Sequence, residues 1–233
     1  MRLQFNKLAM LLCLICMGNQ LSHSQTPDQV ANFAKAAKFD DASEVKSLLK
    51  KGVNPNTVDA SGNPMLFLAV KDKSSNVINV LLGDKNIDVD LSNKNGETPL
   101  MMASIDGNLP LVKILVLGHK AQLDHIGWTP LHYACAKGHL EVAQFLIANG
   151  ATVDSMSLGN TTPLMMAVQS GNEQLVKLLL DKGADLQLRN SQGLTAIDIA
   201  DIYDKPWISD GLRSRWLKLY KKPYVGPVKT KAS

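Results

Sequence analysis

The stretch Gly127-Trp128-Thr129-Pro130-Leu131-His132-Tyr133-Ala134, followed by Gly138-His139 and then by Leu146-Ile147-Ala148-Asn149-Gly150-Ala151, decides how the chain is read. It returns in altered form as Thr98-Pro99-Leu100, Thr162-Pro163-Leu164 and Thr195-Ala196-Ile197, so that successive starts lie 31, 33 and 33 residues apart. Several offsets recur together. Ala stands five after Thr at 103, 134, 167 and 200, and a Leu-Leu-x-x-Gly ending appears at Leu48-Leu49 to Gly52 and Leu179-Leu180 to Gly183.

These residue types have physical reasons. Thr98, Thr129 and Thr162 can cap helix starts whose first N–H groups have no partner, and the following Pro suits the first helical position. Leu131, Ala134 and Cys135 then share one face of a short helix, with small residues where a neighbour presses close. Gly138 permits a turn into a second helix, where Val142, Phe145, Leu146 and Ile147 supply apolar surface at helical spacing. Gly150 ends that helix, and a β-turn finger leads to the next unit. One such unit cannot cover its own apolar faces, so units must stack.

A period near 33 carrying Thr-Pro-Leu-His-x-Ala resembles the ankyrin repeat. The resemblance implies an all-α solenoid of helix-turn-helix units with β-turn fingers, about five to six repeats with atypical caps. Unit one (residues 28–58) lacks Thr-Pro-Leu but keeps Leu48-Leu49 to Gly52, and its first helix is expected over 30–39. Unit two has Pro64-Met65 in place of Thr-Pro and Lys73-Ser74 where a turn Gly is usual. Unit three closes two residues short, around Gly118-His119-Lys120. Unit four is the fullest match, unit five keeps Gly171 and Gly183, and Gly193 to Ala200 has the form of a C-terminal cap.

Three segments follow: 1–24, 25–203 and 204–233. The first has Arg2 and Lys7, an apolar run over 8–17, and small residues at Ser22 and Ser24. It reads as a secretory signal peptide cleaved near Ser24, which places the mature chain in the periplasm or outside the cell. Ten apolar residues are too few for a stable membrane span. Cys13 and Cys16 would leave with the signal, so Cys135 alone remains and no intramolecular disulfide is expected.

The repeats of residues 25–203 hold 15 basic and 19 acidic residues, whereas 204–233 holds 8 basic and 2 acidic. The overall +4 therefore conceals an acidic solenoid with a basic end. Trp207, Trp216, Tyr220 and Tyr224 stand among those bases. A short helix over 211–220 would place Leu212, Trp216, Leu219 and Tyr220 on one face, and packing of Trp207 and Trp216 onto unit six is the expected arrangement.

No motif carries catalysis or a cofactor. There is no phosphate-binding glycine loop, no paired Cys at zinc spacing and no His-Glu-x-x-His, so neither metal nor cofactor is expected. His132 and Cys135 lie three apart, but the resemblance makes His132 a structural histidine bonding a neighbouring loop and Cys135 a packing residue. Asn160-Thr161-Thr162 is formally a glycosylation sequon, read as coincidence because Thr162 is the capping residue and Pro163 follows.

What remains is a surface. In the family, partners are held by finger residues and by exposed first-helix positions. Those places carry Glu97 and Ile105 in unit three, and His125, Ile126, Trp128, Ala136 and Lys137 in unit four. They carry Met156, Leu158, Thr161 and Gln169 in unit five, and Leu194 in unit six. Solvated fingers are normally polar, so Ile126, Trp128, Met156, Leu158 and Leu194 point to protein contact. The expectation is a non-enzymatic binding module, monomeric when free. It would act as inhibitor or immunity partner of an exported enzyme such as a cell-wall hydrolase, with no nucleic-acid ligand and no transmembrane span. The alternative is a secreted effector that grips a host protein, with its basic tail on membrane.

Overall fold

The computed structural model describes residues 25–226. The expected signal segment, residues 1–24 with its cleavage point near Ser24, lies outside the described residues, as does the end of the basic tail. Among the described residues there are twelve α-helices and no strand. They are α1 Pro27–Lys38, α2 Ala42–Lys50, α3 Met65–Lys71, α4 Ser75–Leu82, α5 Pro99–Ile105 and α6 Leu109–Lys113; then α7 Pro130–Ala136, α8 Leu140–Ala148, α9 Pro163–Ser170, α10 Glu173–Asp181, α11 Ala196–Ile202 and α12 Pro206–Tyr220. The odd-numbered helices from α1 to α11 stack in one layer, and their partners α2 with α4, α6 with α8 and α8 with α10 form the second. No helix among the described residues is long and apolar enough to cross a membrane.

The 33-residue register explains the stacking. Phe33, Leu66, Leu100, Leu131, Leu164 and Ile197 occupy one equivalent place on successive first helices, and Ala36, Ala69, Ala103, Ala134, Ala167 and Ala200 another; all are buried. Each buried Leu or Ile contributes about 1.5–3 kcal/mol before ordering entropy is subtracted. The alanines let first helices approach, and the threonines start them. Thr98, Thr129, Thr162 and Thr195 each accept the N–H three residues on, at an extended backbone angle.

The turn between the two helices of every unit passes through one left-handed residue: Asp40, Lys73, Gly107, Gly138, Gly171 and Asp204, with φ between 50° and 78°. At Gly107 the need is double, because a Cβ would come within 2.6 Å of the His139 ring. That ring donates from Nε2 to the Ile105 carbonyl at 2.9 Å, and Asn172 donates to the Gly138 carbonyl at 2.8 Å, so the turns are tied from unit to unit. Lys73 holds the same backbone angle without glycine's freedom, which is a stored local cost.

Two boundaries differ from expectation. α1 begins at Pro27 because Thr26 caps it, with Gln29 returning the bond to the Thr26 N–H. Residues that would form a finger in later units are thus helical in unit one. α12 begins at Pro206 rather than 211, driven by burial of Ile208, Leu212 and Trp216. Only half of the tryptophan expectation holds: Trp216 is 8 % exposed, but Trp207 is 80 % exposed and faces solvent.

The segment after α12 closes the solenoid. In unit four His132 donates to the next unit's backbone, and in unit six Asp198 stands at that place, beside the segment that follows α12. Asp198 instead accepts from the Thr195 N–H, the Thr195 hydroxyl and the Tyr224 hydroxyl. The Tyr224 ring packs edge-on to Trp216, 4.9 Å between centroids, and the Arg213 guanidinium lies over it at 5.3 Å. Burial and the Asp198 bond push the Tyr224 phenol above its ordinary pKa. The chain's own tail therefore supplies the contacts that a further repeat would make.

Candidate functional site: the finger face

A closed finger is held by one base residue. In unit three Asn93 Oδ1 accepts the N–H groups of Asn95 and Glu97 at 2.9 and 3.0 Å, and the Asn93 N–H reaches the Glu97 carbonyl at 3.0 Å. Asp59, Ser157 and Asn190 do the same in units two, five and six. Burial alone would raise the Asp59 pKa, but the N–H bonds from Asn63, Ser61 and Gly62 outweigh it and hold the carboxyl below its ordinary value.

A second set of residues ties each loop to the next. Asn56 Oδ1 accepts from the Asp88 N–H at 2.8 Å, Asp90 from Gln122 at 2.9 Å, and Asp154 from Asp185 at 3.1 Å. Asn56 and Asp154 each lie four after the left-handed residue that ends the second helix before them, Gly52 and Gly150.

Unit four has room for only one of these duties. The left-handed residue that ends the helix before finger four is Lys120, and four later stands Asp124, which is also five before Thr129 and hence the finger base. The carboxylate goes to the next loop: it accepts from the Thr152 N–H at 3.2 Å and from its hydroxyl at 2.7 Å. The bonds that close other fingers, from the base N–H to the carbonyl four residues on and from the N–H three residues on back to the base carbonyl, are not made here among the described residues. Finger four is open.

The cause is the 31-residue spacing, and it corrects the expectation that unit three simply ends two residues early. The second helix is one residue longer, absorbed in a π-helical turn, Ile114–Gly118, that continues α6. The following loop is three residues shorter.

The most exposed apolar side chain of the fingers, Ile126, is on the open finger, and Leu158 on finger five is next. Ile126 is 97 % and Leu158 86 % exposed, and Trp128 and Met156 are each a little above 40 %. Trp128 is braced, not loose. Its ring meets His132 edge-on at 5.2 Å and Tyr133 at 6.2 Å. Leu158 from finger five lies over the backbone of Gly127, where an added Cβ would touch it at 3.7 Å. Ile126, Trp128 and Leu158 thus form one apolar patch across two fingers. The described C-terminal residues pack on unit six and leave it uncovered.

The other candidate residues are placed as follows. Glu97 is half-buried, its two oxygens accepting from Tyr133 at 3.0 Å and Asn93 at 2.8 Å, so it supports the patch through Tyr133. Burial, with the Glu97 bond, pushes the Tyr133 phenol well above its ordinary pKa. Ile105, Ala136, Thr161 and Leu194 are half-buried, and the Ile105 and Thr161 carbonyls are taken by His139 and His132. His125 is half-buried with Nε2 unpartnered among the described residues, while Lys137 and Gln169 are exposed. Among the described residues no hydrogen bond joins Gln169 or Leu194 to Ile126, Trp128 or Leu158. Tyr133 and Asp124 escaped the sequence reading, although the irregular spacing was a signal for Asp124.

His132 has no chemistry to spare. Nδ1 accepts from the Thr129 N–H at 3.2 Å and lies 2.9 Å from its hydroxyl, which assigns the proton to Nε2, the donor to the Thr161 carbonyl at 2.9 Å. Burial lowers its pKa despite that bond, and burial pushes the Cys135 thiol far up. A neutral, fully bonded imidazole and a buried thiol make no nucleophilic pair. No group of three or more His, Cys, Asp or Glu suited to a metal occurs among the described residues.

Stacked helical pairs with a shared finger row define a class of protein-binding scaffold. Family models described as "Ankyrin repeats (3 copies)" and "Ankyrin repeats (many copies)" match residues 66–157 and 153–200. The chain belongs to the ankyrin repeat family. It is similar to the nuclear factor NF-kappa-B p105 subunit of Gallus gallus, 32% identical over 229 residues, covering 91% of this chain and 22% of that one. Against transient receptor potential cation channel subfamily A member 1 of Homo sapiens it is 32% identical over 152 residues, 61% of this chain and 14% of that one. Against Rabankyrin-5 of Mus musculus it is 32% identical over 145 residues, 60% and 12%. The chain spans less than a quarter of the length of these relatives.

Proposed function

We propose that this protein is a non-enzymatic binding partner of an exported enzyme, acting in the periplasm or outside the cell as an inhibitor or immunity protein. A cell-wall hydrolase is the kind of client we favour. The observation that carries the binding role is the braced, exposed apolar patch of Ile126, Trp128 and Leu158 on a rigid stack. The charged and apolar N-terminal pattern of residues 1–24 supports export. Rigidity suits inhibition, because a preformed face covers its target with little ordering entropy. Affinity capture from periplasmic extract, with wild type and Trp128→Ala side by side and mass spectrometry of what is retained, tests the face. A hydrolase held by wild type and lost from the variant is the expected result; equal recovery by both would count against it.

One observation favours the alternative, a secreted effector with its basic tail on membrane: Trp207 stands in solvent on α12, which also exposes Lys218. Fractionation decides between the two, since retention in the periplasm removes the effector reading.

A further inference from the structure

The finger face has an apolar part and a basic part. Exposed lysines stand on its N-terminal side: Lys35 and Lys38 on α1, Lys71 at the end of α3 and Lys94 on finger three. Lys137 lies just past α7. Lys38 and Lys71 hold equivalent places, 33 residues apart, on stacked helices. None of these five has a carboxylate within salt-bridge distance among the described residues; the one surface lysine here that does, Lys73, is paired with Asp106 at 3.4 Å. The carboxylates of the same region are few. Glu97 is committed to Tyr133 and Asn93, Asp106 to Lys73 and Asp41 to the Glu44 N–H, which leaves Asp28 and Asp72 exposed against five lysines. The chain is acidic through its repeats as a whole, so this local excess of positive charge is a property of the face and not of the composition.

We propose that the segment seated on this face is an acidic peptide stretch of a partner protein. One large apolar residue docks at Ile126, Trp128 and Leu158, and its Asp or Glu side chains lie toward Lys38 and Lys71. This rests on the finger face being the binding surface, and adds the chemistry of what binds there. Apolar contact at the patch supplies the anchor, and the lysines supply orientation and association rate, because exposed charges steer more than they hold.

Selection of a displayed library of random 12-residue peptides against the folded protein tests it. Wild type is expected to enrich peptides that combine an aromatic or large aliphatic residue with two or more carboxylates. A synthetic peptide from that pool should bind at least tenfold more weakly in 0.3 M than in 0.05 M salt. Lys38→Glu/Lys71→Glu, checked for unchanged helical content, should weaken it tenfold or more and select peptides without acidic bias that keep the apolar residue. Trp128→Ala should instead lose the apolar preference. Peptides without acidic bias on wild type, or affinity untouched by the charge reversal, overturn the acidic assignment while leaving the face intact. Equal selection by wild type and Trp128→Ala, or none by either, overturns the face itself and this inference with it.

Discussion

Fingers three and four are built from the same register and behave differently. In finger three Asn93 serves only its own tip, and the loop tie is made by a separate residue, Asp90. In finger four Asp124 occupies both places, and its carboxylate is drawn to Thr152. One finger is closed and polar, with Lys94 and Asn95 at its tip; the other is open and presents Ile126 and Trp128. A repeat protein can therefore specialise one unit by shortening a loop, leaving the two-layer stack that carries stability unchanged. The core positions of unit four are as buried as those of its neighbours.

The strongest way to break the comparison is His132→Ala. This ring ties the start of α7 to finger five and supports Trp128, so its loss should cost about 2–4 kcal/mol and lower the melting temperature by several degrees. Hydrogen exchange should rise in finger five. A loss under about 1 kcal/mol would mean the fingers are held by backbone alone.

Acid acts on the same group. Because burial holds the folded His132 below its ordinary 6.5, the unfolded chain binds a proton between those two values that the folded chain does not. Stability is therefore fully present above pH 6.5, falls as pH drops below it, and levels off beneath the folded value. Urea unfolding at pH 7 and pH 5.5 should show wild type losing stability to acid and His132→Gln losing less.

Two matched variants sharpen the contrast between fingers. Asn93→Ala and Asp124→Ala should each cost about 1 kcal/mol. Exchange should quicken at Asn95 and Glu97 in the first variant. In the second it should quicken at Thr152 and not at the tip around Ile126, which has no closing bonds to lose. Faster exchange at that tip would show the finger to be closed in solution.

The smallest effect is a gain. Lys73→Gly relieves the left-handed backbone angle in unit two and should stabilise by up to about 1 kcal/mol, since the exposed pair with Asp106 that it removes contributes little. A net loss in chemical denaturation would place more weight on that pair than surface ion pairs usually carry.

Much of the fold is legible in the sequence because its determinants are local or periodic. Thr129 caps α7 three residues away, and Leu131 and Ala134 repeat the burial of Leu100 and Ala103. Trp128 and Leu158 were legible as exposed apolar residues because finger positions are fixed by the Thr that follows them. Tyr133 was not, since its value lies in reaching Glu97, 36 residues back. Trp207 was misplaced because an aromatic near a buried Trp216 gives no sign of which side of α12 it takes.

By itself the sequence determined the repeat, its helical pairs and the row of finger positions, since each follows from spacing within one 33-residue period. Tertiary structure alone decided how Asp124 is used and that Tyr224 meets Thr195 and Asp198. Both outcomes are contests between partners 26–29 residues apart, Asp124 with Thr152 and Tyr224 with Thr195 and Asp198. A carboxylate near two sets of donors goes where the stacked backbones bring them, and that geometry exists only after the repeats have packed.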